Sequence, residues 1–129
     1  MVKTYSLTNQ KIYQLAVTAV DNFHGDIKFP AKAMFYIQKN INVITELGKE
    51  IEAARARILE RYGKLTEDGD KQTYTIPPEN VAEAQKEIND LFAIEQEVKY
   101  YMVKLDWLSD VELTPAQFGV LELMIDEGE

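Results

Sequence analysis

Five residues between positions 28 and 40 have the types and spacing to bind a small anion: Lys28, Lys32, Tyr36, Lys39 and Asn40. Residues three and four apart in a helix lie on one side, so the last four share a face. Free backbone N–H groups at the helix start and the lysines attract anions, and the tyrosine ring can stack. These residues form a candidate seat for a small anion or nucleotide. The other interpretation is an ordinary solvated helix face with an amphipathic tyrosine.

The sequence offers little material for catalysis. His24 is the only histidine and there is no cysteine, which excludes zinc sites built on these residues and most catalytic triads. His24, in a loop at a helix end, is interpreted as structural, and no glycine motif that cradles phosphate occurs. The carboxylate pairs Glu95/Glu97 and Asp106/Asp110 are interpreted as acidic surface rather than as acid–base pairs. We predict a protein that is not an enzyme, with no catalytic, cofactor-binding or metal-binding residues.

A carboxylate-rich stretch at residues 61–83, RYGKLTEDGDKQTYTIPPENVAE, raises the question of a calcium site. A calcium-binding EF loop needs oxygen ligands at alternate positions, a glycine sixth and a glutamate twelfth, and that spacing is not met. An Asp-Gly pair between two β-like pieces instead favours a hairpin turn in which Gly69 adopts a positive φ. We predict a β-hairpin inserted between two helices.

The composition is that of a folded protein without disulfides. Of 129 residues, 46% are hydrophobic and 10% aromatic, enough to bury a core, and we expect one domain over residues 1–129. The absence of cysteine suits a reducing cytosol, and the N-terminus lacks the apolar segment of a signal peptide. No run approaches the roughly 20 apolar residues of a membrane span. The predicted location is the cytoplasm.

The net charge of −8 is unevenly distributed. Residues 1–64 carry 10 Lys or Arg and 6 Asp or Glu, a balance of +4, whereas residues 65–129 carry 4 and 16, a balance of −12. The overall charge disfavours direct binding of nucleic acid, which depends on clustered cations. Either the basic half packs beside the acidic half within one molecule, or the molecule is bipolar and its ends attract neighbouring copies.

Apolar periodicity predicts two helices in the first half, after a short strand at residues 1–7. Thr8 or Asn9 caps the first helix, which ends before residues 24–26. The second runs from Ala31 to Tyr62, and Gly48 in its middle indicates a close crossing or a bend. Its heptad-like seam consists of Met34, Ile37, Ile41, Ile44, Leu47, Ile51, Ala54 and Ile58.

A partner helix for this seam is predicted from Pro78 onward. Its apolar residues keep the same rhythm, broken only at Glu95, and they are Val81, Ala84, Ile88, Leu91, Phe92 and Val98. Antiparallel packing would set acidic flanks (Glu79, Glu83, Glu87, Asp90) against basic residues of the long helix (Lys49, Arg55, Arg57, Arg61). Such exposed pairs contribute little stability, so they influence pairing and register more.

The last third of the chain contains a strand pattern and a helix start. Residues 97–107 alternate as a strand does, and Thr114 to Gln117 form a capping box with proline at the first helical position. Phe118, Leu121, Met124 and Ile125 give the closing helix its apolar face. The predicted class is mainly α (α+β): a long antiparallel helical hairpin with a β-hairpin insertion and a small antiparallel sheet, plus short N- and C-terminal helices.

The order of short motifs along the chain resembles a known family. The motifs are A-x-x-x-I-x-K-N (Ala33 to Asn40), L-E-R-Y-G (ending at Gly63), E-D-G, K-E-I-N-D-L (Lys86 to Leu91), I-E-Q-E-V (Ile94 to Val98) and L-T-P (Leu113 to Pro115). They resemble a family of small bacteriophage and prophage proteins of Gram-positive hosts, a domain of unknown function. The resemblance implies a phage origin, a location in the host cytoplasm and a helical hairpin with a β-hairpin insertion. It implies no catalytic residues.

Two classes of function follow as hypotheses. The first is a non-enzymatic interaction or accessory protein of phage assembly that forms oligomers, favoured by the helical seam and the charge asymmetry. The second is an anti-defence protein that sequesters a nucleotide signal through the basic, aromatic helix face, or that blocks a host protein as an acidic mimic of DNA. The expected partners are further copies of the chain, a phage or host protein, or a small anionic ligand. No cofactor, membrane or direct nucleic-acid partner is expected.

Overall fold

A computed structural model describes residues 2–23, 28–68 and 71–126, which form a mainly helical α+β fold, as predicted. The helices in these residues are α1 (Asn9–Asn22), α2 (Ala31–Tyr62), α3 (Val81–Ala93) and α4 (Pro115–Leu121). The strands are β1 (Val2–Thr8), β2 (Lys64–Asp68), β3 (Lys71–Thr75), β4 (Glu95–Tyr101), β5 (Val103–Lys104) and β6 (Ile125–Asp126). The predicted roles of His24 and of the Gly69 turn lie outside the described residues. The predicted β-hairpin between helices is confirmed as an antiparallel pair of β2 and β3.

The closest helix packing is between α1 and α2, which run antiparallel. Tyr13 on α1 donates a hydrogen bond of 2.9 Å to Glu52 on α2, and one turn along each helix Ala16 lies against Gly48. A Cβ added at Gly48 would be 2.6 Å from the Ala16 Cβ atom. The glycine therefore marks a close crossing, which was one of the two predicted alternatives. The helix that it meets is α1, whereas the sequence analysis gave α3 as the partner of α2.

Helix α3 packs against the C-terminal end of α2. Asn80, just before α3, donates to the Tyr62 carbonyl at 3.1 Å, and Arg61 pairs with Glu87 at 3.1 Å. Of the predicted cross-helix ion pairs, this one is present in the described residues. Lys49 and Arg55 instead pair with acids on their own helix, Glu46 and Glu52. These pairs are exposed to solvent, so their contribution to stability is small.

The buried stripe of α2 is rotated from the predicted seam. Its members, three or four residues apart, are Ala33, Ile37, Asn40, Ile44, Gly48 and Ile51. Met34, predicted in the seam, is 53% exposed. The rotation arises because α1 and β4 both contact α2 on this side. The predicted seam was correct at Ile37, Ile44 and Ile51 and wrong at Met34.

Strands β1 and β4 form an antiparallel sheet whose register runs from Val2 opposite Tyr101 to Thr8 opposite Glu95. Val98 and Tyr100 on β4 are almost completely buried, and their neighbours on the strand are exposed. This alternation is typical of a sheet with one face on a core. The sheet therefore covers the helices with one face and leaves the other face open.

The apolar rhythm assigned to the partner helix extends to Val98, but α3 ends at Ala93. For Val98 the overlapping prediction of a strand from residue 97 is the correct one, because β4 contains it. Asn9 contacts the end of the helix. The Asn9 side chain donates to the Leu91 carbonyl at 2.9 Å, and its backbone N–H donates to the Ile94 carbonyl at 2.8 Å. Gln96 donates to the Asn9 side-chain oxygen at 2.6 Å. Asn9 is buried, so these bonds satisfy the end of α3 and the start of β4 where water has little access.

The C-terminal third departs from its predicted elements in two places. The strand predicted over residues 97–107 divides at Met102, and a 3₁₀ turn follows at Leu105–Leu108. The capping box at Thr114 is confirmed, with both reciprocal hydrogen bonds present. Helix α4 then ends at Leu121, and β6 pairs in parallel with β5. The residues after Leu121 therefore form a 3₁₀ turn at Glu122–Met124 and then β6, which pairs with β5 and not with the β1–β4 sheet, rather than a longer helix.

Burial of Tyr100 predicts a loss of stability at alkaline pH. Its ring is 1% exposed and packs edge-on to Tyr5, 5.9 Å between centroids. Burial, with a smaller effect of Tyr5, raises the pKa of the Tyr100 phenol above its ordinary value. Above about pH 10 the unfolded chain loses this proton while the folded chain keeps it, so the free energy of unfolding should fall by up to about 1.4 kcal/mol per pH unit.

The measurement is urea unfolding from about pH 9 to about pH 11. Tyr100→Phe should remove this part of the slope while keeping most of the packing of the ring. Equal slopes for the two proteins would contradict the prediction.

Candidate interaction surface

The structure places four of the five predicted anion-binding residues at the surface and the fifth in the core. Lys28, Lys32 and Lys39 are exposed, and Tyr36 is half-buried. Asn40 has no exposed surface. The prediction that Lys32, Tyr36 and Lys39 lie on one side of α2 agrees with their exposure. Asn40 lies in the core instead.

Asn40 holds the end of strand β4 to helix α2. Its amide nitrogen donates to the Tyr101 carbonyl at 2.8 Å, and its amide oxygen accepts from the Tyr101 N–H at 2.8 Å. The same nitrogen lies 3.3 Å from the sulfur of Met124. The side chain acts here as a neighbouring strand would, because it satisfies both backbone groups of one residue at the strand edge. It has no free donor or acceptor direction toward solvent.

A group of aromatic rings surrounds Tyr36. The rings of Tyr101 and Trp107 both lie nearly parallel to it, with centroid distances of 5.8 Å and 6.2 Å and interplanar angles of 26° and 16°. Phe35 packs edge-on at 5.4 Å. We call these four residues together with Lys39 the aromatic–lysine surface.

Lys39 completes this surface with its charge. Its Nζ atom lies 5.0 Å from the centroid of Phe35 and 4.9 Å from that of Tyr101, within range of cation–π attraction. Among the described residues, no carboxylate lies within ion-pair distance of Lys32 or Lys39. Their charges are therefore not neutralised by a neighbouring acid.

Three elements distant in sequence bring these rings together. Helix α2 supplies Phe35 and Tyr36, and β4 supplies Tyr101, whose backbone Asn40 holds in place. Trp107 comes from the 3₁₀ turn that buried Leu108 anchors. The sequence analysis did not identify Phe35, Tyr101 or Trp107 as site residues. The usable signal was the pair of tyrosines at 100 and 101, because adjacent strand residues face opposite sides and one ring had to point outward.

Other parts of the described chain do not bring reactive groups together. A groove of about 240 Å³ between α1 and α2 contains Val17, Val20 and the bonded pair of Tyr13 and Glu52. The hydrogen bond to Glu52 raises the pKa of the Tyr13 phenol, with burial as a second cause. The predicted acidic pairs lie on the surface, and no three His, Cys, Asp or Glu side chains of residues 2–23, 28–68 and 71–126 come together as metal ligands. No helix in those ranges is long and apolar enough to cross a membrane.

Comparisons of the chain with protein-family models, curated proteins and solved structures found no match. The resemblance to small phage proteins therefore stays a prediction from short motifs. Function has to be inferred from the surface of the molecule itself. In the aromatic–lysine surface, exposed rings lie beside a lysine that has no ion-pair partner among the described residues.

Proposed function

We propose that this chain is a non-enzymatic interaction protein encoded by a phage, and that it binds a partner protein through the aromatic–lysine surface. The supporting observation is that four rings and a lysine from three elements form one contiguous surface. Tyrosine, tryptophan and phenylalanine are enriched at protein interfaces and dominate their binding energy. The partner proposed for this surface is a phage or host protein.

The rings of the aromatic–lysine surface are packed in place before a partner binds. Phe35 is 55% exposed and Tyr101 38% exposed, so both offer apolar area to a partner. Their positions are already restricted by Tyr36 and Lys39, which reduces the entropy lost when a partner orders them. Exposed apolar area of this kind, with a cationic rim, suits a partner that presents apolar groups bordered by carboxylates.

The alternative function, sequestration of a nucleotide signal, has less support from this geometry. The ring of Tyr36, which would stack on a base, is stacked on Tyr101 and Trp107. Asn40, the fifth residue of the predicted site, forms its hydrogen bonds with the backbone of β4. What remains of the predicted anion site is a set of exposed lysines.

Native mass spectrometry of protein purified from cells tests the alternative directly, because a bound nucleotide adds mass to the protein. If such added mass is found, Lys32→Glu with Lys39→Glu should remove it.

Substitution of exposed groups on the aromatic–lysine surface should weaken partner binding without unfolding the protein. We expect Phe35→Ser with Lys39→Glu to raise the dissociation constant at least about tenfold, or about 1.4 kcal/mol, because both changes fall on exposed contact atoms. Val43→Ser with Lys49→Glu is the matched control, since it makes the same kinds of change at exposed positions of the same helix.

The measurement has two stages. Affinity purification of the tagged wild-type and control proteins from the cells that express them should recover the same partner protein in a fixed ratio. The surface variant should recover little or none of it. Calorimetry with the purified partner then gives the dissociation constants, and thermal unfolding checks that all three proteins are folded. Equal affinity of the surface variant and the wild type would remove this surface as the binding site.

A further inference from the structure

Strand β1 has one paired edge, and the direction of its backbone groups can be derived. In an antiparallel ladder, opposed residues alternate between pairs that exchange both hydrogen bonds and pairs whose groups point away from each other. Both backbone groups of Tyr101 bond to Asn40 on α2, so the pair of Tyr101 and Val2 is of the second kind. The bond from the Asn9 N–H to the Ile94 carbonyl leads to the same assignment. It puts Asn9 in a pair of the first kind, and therefore also Lys3, Tyr5 and Leu7, which precede it at intervals of two residues.

The other edge of β1 therefore presents the N–H and C=O groups of Val2, Thr4 and Ser6. Within the described part of the chain, no hydrogen bond reaches these groups. The side chains of the same three residues are exposed. An open strand edge of seven residues is a template for pairing with another strand.

We propose that the open edge of β1 pairs antiparallel with the same edge of a second copy, so that two β1–β4 sheets join into one four-stranded sheet. The resulting dimer has a two-fold axis through the β1 pair, the usual symmetry of a homodimer. This proposal goes beyond the aromatic–lysine surface and places none of its side chains in the contact between the two β1 strands.

A second copy is the partner that this edge fits because the edge is nearly uncharged and self-complementary. A register centred on Tyr5 sets Thr4 opposite Ser6 of the second copy, and both belong to the set whose backbone groups point outward. It also sets Lys3, the one charged residue of β1, opposite Leu7 of the second copy rather than opposite another lysine. Like charges directly opposed would weaken the pairing, and this register has none.

The distribution of charge across the sheet supports the same pairing. The exposed acids Glu95 and Glu97 lie on β4, so in the dimer one β1 strand on each side separates them from the two-fold axis. The strands with one charged residue each would occupy the centre, and the strands with three would form the two borders. Monomeric proteins often protect a strand edge with a proline or with a β-bulge that breaks the register. Strand β1 contains neither.

The test is a pair of substitutions that sets like charges across the proposed two-fold axis, at two residues whose partners on β4, Lys99 and Glu97, carry opposite charges. We expect the wild-type protein to form a reversible dimer in sedimentation velocity across a dilution series. Thr4→Lys with Ser6→Lys should raise the dimer dissociation constant at least about tenfold, because lysines would then face each other across the axis. Both residues are exposed, so the fold should persist. Glu83→Lys, at an exposed position of α3, changes the net charge by the same amount and should leave the dimer intact.

Amide hydrogen exchange supplies a second readout that charge alone does not change. The Thr4 and Ser6 amides should be protected at concentrations where the protein is dimeric and should exchange rapidly on dilution. A wild-type protein that stays monomeric, a dimer that the double lysine variant leaves unchanged, or a dimer in which these two amides remain unprotected would each overturn the proposal. Partner binding lost on Phe35→Ser with Lys39→Glu would leave this result unaffected, so the two proposals fail separately.

Discussion

Replacement of Asn40 by alanine should reduce the free energy of unfolding by about 3 to 5 kcal/mol, the largest effect expected of a single substitution here. The variant leaves both backbone groups of Tyr101 without a partner at a site that has no exposed surface on the Asn40 side. An unsatisfied buried polar group costs about 1 to 3 kcal/mol, and the deleted amide adds a small cavity. A protein of this size has only about 5 to 15 kcal/mol to lose.

Asn42→Ala is the matched control for Asn40→Ala. Asn42 lies on the same helix, is exposed, and accepts a hydrogen bond from Gln38 one turn away. Its replacement should change the free energy of unfolding by less than about 0.5 kcal/mol. Urea unfolding of the two variants measures the difference. Similar values for the two would show that the Asn40 bonds do not hold β4 to α2.

The same substitution should alter the aromatic–lysine surface. Asn40 holds the backbone of Tyr101, whose ring stacks on Tyr36, and Tyr36 stacks on Trp107. Trp107 is the only tryptophan in the chain, so its fluorescence spectrum reports on this stack alone. We expect a shift of that spectrum in folded Asn40→Ala and no shift in Asn42→Ala.

Gly48→Ala should reduce the free energy of unfolding by about 2 kcal/mol although alanine favours helices. The added Cβ atom would lie 2.6 Å from the Cβ atom of Ala16, well inside the ~3.5–4.0 Å of a normal contact between carbon atoms. Neither atom can rotate away because each is attached directly to a helix backbone, so α1 and α2 must separate. Overpacking of this kind costs roughly 1 to 3 kcal/mol, and the gain in helix propensity of up to about 1 kcal/mol offsets only part of it.

Gly119→Ala is the control and should have the opposite sign. A Cβ atom at Gly119 in α4 meets nothing within 4 Å, so the helix propensity of alanine should stabilise the protein by about 0.5 to 1 kcal/mol. Ala16→Gly should restore part of the stability lost in Gly48→Ala because it removes the other half of the clash. Thermal and urea unfolding should be measured for the wild type, the two single variants Gly48→Ala and Ala16→Gly, and the double variant. If the changes in unfolding free energy of the two single variants simply add in the double variant, the close crossing is contradicted.

The helix and hairpin positions follow from local sequence. Proline and glycine flank Ala31–Tyr62, and the structure keeps both bounds. Thr8 caps α1 and Thr114 forms the capping box of α4, as their neighbours in sequence predict. These features rest on hydrogen bonds and apolar spacing within a few residues, and such information is present in the chain before it folds.

The candidate surface depended on contacts that no local pattern contains. Apolar rhythm indicated that α3 continues past Ile94, yet Asn9 from the other end of the chain ends it there. A polar residue at position 40 of a predicted helix was assigned to solvent, yet the edge of β4 supplies the two backbone partners that make its burial favourable. A polar side chain enters a core only where a distant segment satisfies its hydrogen bonds. The amino-acid sequence by itself therefore determined the starts of α1 and α4, both bounds of α2, and that Lys32, Tyr36 and Lys39 share a face. Only the tertiary structure decided that Asn40 lies beneath that face and that Tyr101 and Trp107 join it, because each of these placements requires a partner remote in sequence.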